Sequence, residues 1–388
     1  MAAARQGRPA RGPRGRLAGL LRPWRGREQV APRPDLGERV GDALDLVADL
    51  ERLEPVLPTR GASRQFLVRD RAVVAADLGE TASALIPPSL RGKLRPGAQQ
   101  VREVCAPVAA DALALAKFDL RGEPKLRAHY VEHRLTLAVA PRPTVRGARD
   151  GVLNAVRAHD VVSAHAPDLI PPLLAHGRVG RRVRYLVEEW VPGDPVRTGV
   201  GLAGAAAQIL DGLARVHRGH GVRSASLSQR WGKGFAERWE ATRTSGILPD
   251  EVGTRVADLV AADRELRISW THGDLVASNV LRSPGGEVVL VDWEHSHEGV
   301  IMQDAAKLHL FSADSGRILD LLLETWAHDA RPGAYTVGEE LLLAHARLLI
   351  RYPNRRADLE GHPRAKVYEK QVRRQVMLLG EVLDRLDR

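Results

Sequence analysis

The chain has little with which to cross-link itself or to enter a membrane. Among 388 residues there is one cysteine, Cys105, which excludes an internal disulfide and a cysteine-built metal cluster. No run of 18 apolar residues occurs. The longest candidate, Val200 to Leu213, is broken by Gly204, Gln208 and Asp211, so no integral membrane segment is expected and the expected location is cytoplasmic. Aromatic residues make up only 4%, too few for the stacking platforms of RNA- or DNA-binding modules. Lysine is scarcer still: seven of the 58 basic residues, the other 51 being arginine. Arginine spread over almost the whole chain, beside abundant Ala, Gly and Pro, reads as compositional bias. The net charge of +10 therefore argues weakly for nucleic acid as a partner. Acids are missing before Glu28, in a stretch rich in arginine and proline that lacks serine and amphipathic period. Residues 1–35 are expected to form a disordered basic tail.

The length allows two lobes with cores of their own. Residues 36–108 read as an amino-terminal extension without nameable chemistry, with an amphipathic helix over 36–53 and strands between Gln65 and Ala75. Residues 109–191 read as a small lobe. Ala112 to Leu120, Lys125 to Val131 and Arg134 to Ala140 form a strand meander. A helix over Asp150 to Ala164 follows, then a strand from Arg182 to Val191 that runs into Pro192-Gly193-Asp194-Pro195. Residues 192–388 turn helical, with helices expected over 204–219, 315–327, 337–350 and 363–386.

One stretch carries the chemistry. Thr271-His272-Gly273-Asp274 is followed by Asn279, five residues after the carboxylate, and thirteen residues later by Asp292 in Val291-Asp292-Trp293-Glu294. Trp270 to Asp274 reads as a loop, and Val280–Arg282 with Val288–Val291 as a hairpin turning at Ser283-Pro284-Gly285-Gly286. That spacing puts Asn279 and Asp292 at neighbouring strand ends, with Asp274 facing the same cleft. Phosphoryl transfer asks for such a set: one base to orient a hydroxyl and two oxygen ligands to hold Mg²⁺ against phosphates. His272 reads as a packed loop residue, and Asp304 as structural.

These segments resemble the catalytic loop and metal-binding segment of the aminoglycoside phosphotransferase and choline kinase group, relatives of the protein kinases. Leu213-Ala214-Arg215-Val216-His217, Tyr185 to Gly193 and Asp304-Ala305-Ala306 resemble the family's helix before the catalytic loop, its strand-to-hinge segment and the motif after the metal-binding segment. The resemblance spans roughly residues 110 to 350. It implies an α+β, bilobal protein-kinase-like fold, with a small β-rich nucleotide-binding lobe and a larger, mainly helical lobe. It implies ATP and Mg²⁺ as cofactors and a small hydroxylated molecule as acceptor. Asp274 would be the catalytic base, Asn279 and Asp292 the metal ligands, and backbone around Glu189, Trp190 and Val191 the adenine site.

The family's third-strand lysine is missing, because Ala138 stands at its place. No glutamate lies between Glu132 and Glu188 to pair with such a lysine, and Arg121-Gly122-Glu123-Pro124 is a poor glycine-rich loop. Lys125, or an arginine such as Arg142, is the nearest substitute for phosphate contact. Glu188 puts a charge where an apolar residue would touch the base. The alternative is a degenerate kinase-like protein that binds a nucleotide or partner without efficient transfer. The arginines and lysine at 351, 355, 356, 364, 366, 373 and 374 read by default as a solvated helix face; if they line the cleft, a neutral or anionic acceptor fits better than a polycation. A choline-like cation would need an aromatic cage, for which Trp293, Trp326 and Tyr335 are the candidates.

Overall fold

The computed structural model describes residues 59–69, 72–75, 99–108, 112–118, 124–130, 134–141, 150–179, 183–196, 198–327, 331–359 and 365–387. The tail and the helix expected over 36–53 lie outside the described residues. The first elements are strands β1 (Thr59–Arg69), β2 (Ala72–Ala75), β3 (Gln99–Val108), β4 (Ala112–Phe118), β5 (Pro124–Tyr130) and β6 (Leu135–Pro141). Helix α1 (Gly151–His165) follows, then β7 (Leu173–Val179) and β8 (Val183–Glu189). All eight strands join one antiparallel sheet in the order β3-β1-β2-β4-β5-β6-β8-β7. The strands before residue 109 therefore extend the sheet of the small lobe through the β2–β4 pairing.

Helix α1 starts where Asp150 caps it, the carboxylate accepting from Leu153 N–H at 3.0 Å. Such a cap stabilises a helix by about 1 kcal/mol. Its apolar stripe of Val152, Ala155, Ala158 and Val162 is buried, and the helix contacts β6 and β8. The small side chains Ala138 and Ala140 of β6 pack against this core.

Beyond β8 a two-residue strand, β9 (Asp194–Pro195), leads to α2 (Gly199–His220), β10 (Arg223–Ser226), α3 (Leu227–Trp231), α4 (Gly234–Arg243) and α5 (Asp250–Ala262). Next come β11 (Glu265–Thr271), β12 (Val280–Arg282), β13 (Val288–Leu290) and β14 (His297–Val300). Helices α6 (Met302–Phe311), α7 (Ser315–Thr325), α8 (Val337–Leu349), α9 (Tyr352–Asp358) and α10 (Ala365–Leu386) complete the chain. The result is the expected α+β kinase-like arrangement, a sheet-bearing amino-terminal part and a mainly helical carboxy-terminal part. Among the described residues no helix is long and apolar enough to cross a membrane.

One local expectation fails. Trp270 and Thr271 belong to β11, the central strand of a three-stranded sheet β10-β11-β14, and not to a loop. Six consecutive residues of β11 are buried, three of them polar with distant partners. Arg267 is wholly buried and bonds Glu340 of α8 through its backbone N–H (2.7 Å) and Nε (3.0 Å). Ser269 donates to Gly221 O and Thr271 to His297 O. Removing one member of a buried ion pair such as Arg267–Glu340 costs about 3–5 kcal/mol.

The helical part also carries an acid sensitivity. Burial pushes His217 and His309 from 6.5 down to about 4. In the unfolded chain both titrate near 6.5, so between that pH and about 4 the unfolded state holds the extra protons. Their stabilising contribution is complete above 6.5 and is lost as pH falls through this window, on the order of 3 kcal/mol for each. The urea midpoint is expected to drop steeply between these pH values, and less steeply in His309→Gln.

Candidate active site

Helix α6 holds the loop that follows β11. The carboxylate of Asp304, buried in the first turn of α6, accepts from His272 N–H at 2.6 Å and Gly273 N–H at 2.9 Å. His272 is fully buried. Its Nδ1 accepts from Asp274 N–H (3.2 Å), so the proton sits on Nε2, which donates to Val291 O at 3.0 Å. Burial pushes its pKa down against the upward pull of Asp304, Asp292 and Asp274. A neutral histidine bonded at both nitrogens is a strut between loop and hairpin, as the sequence suggested. Gly273 is required by its left-handed backbone, φ 79°, and by its neighbour: a Cβ there would overlap the carbonyl oxygen of His295.

The hairpin brings the second and third expected residues to the same place. Asn279 ends a single helical turn, Ala277–Asn279. Its Nδ2 donates to Asp274 O at 2.9 Å and lies 3.5 Å from Asp274 Oδ2, while its Oδ1 accepts from the Ser278 hydroxyl at 3.3 Å. Asn279 O accepts from Val291 N–H at 2.9 Å across the hairpin. Asp292 comes next, with left-handed backbone angles of 71° and 48°. Such a conformation costs a non-glycine residue about 1–2 kcal/mol and is typical of functional turns. Trp293 locks the turn from below, its indole donating to Leu290 O (2.8 Å) and its ring 4.5 Å from that of His272. Asp274 and Asp292 thus both act on one buried imidazole, and Asn279 is tied to the carbonyl of Asp274 and to the residue before Asp292.

The hinge meets this hairpin. Glu189 N–H donates to Pro172 O (2.9 Å) and Trp190 N–H to Arg134 O (2.7 Å), while Trp190 itself is buried. After the break at Pro192-Gly193, β9 pairs with β12, and Val196 N–H donates to Val280 O (2.8 Å). Gly193 passes so close that a Cβ would stand 2.5 Å from Arg282 O. The segment after Val191 is therefore held against the β12–β13 hairpin.

Sequence reading missed what the sheet does about its absent lysine. Ala138 pairs with Leu186 on β8, and its other neighbour in register is Arg127 on β5. Lys125 stands opposite Lys117 instead. Glu188 is buried and shares a hydrogen bond with His159 of α1 at 2.8 Å. Arg184 Nε lies 2.6 Å from Asp150 Oδ2, an ion pair without hydrogen-bond alignment. One ion pair and one hydrogen bond therefore join β8 to α1. The start of α1 also touches the segment after Asp292: Asn154 Nδ2 donates to Glu294 O (3.2 Å), and a Cβ at Gly151 would lie 3.3 Å from Glu294 Oε2.

A second omission is Lys307. From α6 its Nζ reaches Gly273 O and Asp274 Oδ1, each at 2.7 Å. A lone lysine in a helical pattern gave no sign of this.

Residues 127–341 match the model of the phosphotransferase enzyme family, APH. The chain belongs to that family. Its solved structural likenesses are distant. An aminoglycoside phosphotransferase from Alicyclobacillus acidocaldarius is 17% identical with a TM-score of 0.41, covering 71% of this chain and 90% of that one. Choline kinase LicA from Streptococcus pneumoniae is 15% identical with a TM-score of 0.40, covering 66% and 89%. A glucosamine kinase is 15% identical with a TM-score of 0.45, covering 91% and 100%. A search of curated proteins finds no match.

For a phosphotransferase of this family, the acceptor side is informative. Trp293, Trp326 and Tyr335 are all buried, at 1%, 2% and 3% exposure, so none is available for a cage around a quaternary ammonium. Arg374 caps the carbonyls of Leu310 and Ser312 at the end of α6. Arg356 and Arg373 instead line a cavity of about 320 Å³ with Tyr352 and Glu369.

Proposed function

We propose that this chain is an ATP- and Mg²⁺-dependent phosphotransferase that phosphorylates a hydroxyl of a small molecule. The observation that carries the reading is the junction in which Asp274 and Asp292 both act on His272 and Asn279 is tied to the segments that carry them. Asp274 accepts the hydroxyl proton as the acceptor oxygen bonds to the γ-phosphorus. The bond from that phosphorus to the β-phosphate oxygen breaks, and the nucleoside diphosphate leaves with the electron pair.

A divalent ion fits the residues present. Among the described residues no three His, Cys, Asp or Glu side chains gather into a metal site, so an ion would rest on Asn279 Oδ1, the Asp292 carboxylate and phosphate oxygens. Hard cations accept such a set and keep waters for the remaining positions. Bound there, Mg²⁺ would neutralise phosphate charge. The Glu189 carbonyl and the Val191 peptide group would take the adenine edge, because the N–H groups of Glu189 and Trp190 are occupied. Arg184, opposite Ala140 and two register positions beyond Ala138 on the adjacent strand, is the candidate replacement for the missing lysine, its guanidinium paired to α1 through Asp150.

A screen of hydroxylated metabolites, following ADP release with Mg²⁺ present and absent, tests this. Expected is metal-dependent turnover that disappears in Asp292→Ala. The half-buried Ala138, packed into the core where a phosphate-binding lysine would stand, favours a second reading: a protein that binds nucleotide without transferring phosphate. Nucleotide binding that needs no metal, without turnover on any acceptor, would support that reading.

A further inference from the structure

We infer that Lys307 supplies the cation that faces the transferring phosphoryl group, from the acceptor side of the site. The inference rests on the phosphotransferase reading above. Charge is the starting point. A transferring phosphoryl group spreads negative charge over its equatorial oxygens, and the protein's main contribution is to neutralise and position it. In this chain β6 offers alanine at position 138, packed against the core. With Arg184 proposed in that lysine's place, the transferring group still needs a cation beside the proposed base.

Lys307 is the lysine placed for it. An ammonium has three N–H donors. Among the described residues, two are occupied, by Gly273 O and Asp274 Oδ1 at 2.7 Å each, which leaves the third for a ligand oxygen. Its side chain is 18% exposed, against 38% for Asp274, so it is less open to solvent than the carboxylate it bonds. A hydroxyl that donates to the Asp274 carboxylate lies within about 3 Å of it, and the attacked phosphorus about 3–3.5 Å further on. An ammonium already bonded to the same carboxylate is then one contact from the phosphoryl oxygens. The helix that carries it is fixed to the loop independently, because Asp304, one turn earlier on α6, holds the N–H groups of His272 and Gly273. Loop and cation are built as one unit. A lysine serving only to brace the loop would need the carbonyl of Gly273 but not the carboxylate of the proposed base.

The test is calorimetric titration of the full chain with ADP and with AMP-PNP, both with Mg²⁺. AMP-PNP carries the γ-phosphoryl group and ADP does not. Lys307→Met is expected to weaken AMP-PNP binding by about tenfold or more, with ADP affinity changed by less than about twofold. Lys307→Arg is expected to recover part of the loss. The same AMP-PNP loss in an Asp274→Asn background assigns it to the ammonium itself. Loss confined to the Asp274-containing protein would overturn the direct contact, and so would equal weakening of both nucleotides or of neither. A parent chain that binds neither nucleotide would instead sink the phosphotransferase reading, and this inference with it.

Discussion

An Asp274→Asn chain is expected to release ADP about 10²–10⁴-fold more slowly than the parent, the usual range for losing a positioned general base. The substitution is nearly isosteric. The backbone carbonyl of residue 274 still accepts from Asn279 Nδ2, and Lys307 still reaches the carbonyl of Gly273. Affinity for Mg²⁺ and ADP is therefore expected to stay within about threefold, since the changed side chain, which meets Lys307 and Asn279 Nδ2, is proposed to meet the acceptor hydroxyl and neither the metal nor the diphosphate. Steady-state rates and nucleotide titration, run together, separate the two effects. A slowing of less than about fivefold would remove Asp274 from the reaction.

The second large effect comes from a residue with no side chain. In Gly273→Ala the new methyl group meets the His295 carbonyl, and the backbone must hold φ 79° with a Cβ attached. The left-handed conformation alone costs about 1–2 kcal/mol. Relieving the overlap requires the loop to part from the turn at Trp293–His295, which also loosens the carbonyl that anchors Lys307. We expect at least about 2 kcal/mol of destabilisation by urea titration. Turnover should fall by about 10² or more even where the protein is fully folded, because a displacement of about 1 Å at the reacting atoms has that consequence. Wild-type stability and rate in Gly273→Ala would mean that the loop is not held as described.

What the sequence disclosed, and what it hid, divides along a physical line. The hairpin from Val280 to Leu290 was legible because Ser283-Pro284-Gly285-Gly286 has turn chemistry and the flanks are β-branched. The helices α8 and α10 were legible because their apolar period is local. Asp274, Asn279 and Asp292 were legible as candidates because their spacing fits one hairpin. By contrast, β11 was misread. Its buried Arg267, Ser269 and Thr271 look like surface residues until their partners, 73, 48 and 26 residues away, are in place. Lys307 and Arg184 were hidden for the same reason. Each acts through a carboxylate 33 or 34 positions distant, and nothing local in a helix or strand announces such a pairing.

The ion pair and the hydrogen bond between β8 and α1 have a consequence for how this helix can move. Arg184 fastens the helix at its cap, and Glu188 fastens it again nine residues later at His159. A rod pinned at two separated points cannot swing outward about either of them. Moving this helix away from the sheet therefore requires both contacts to break together.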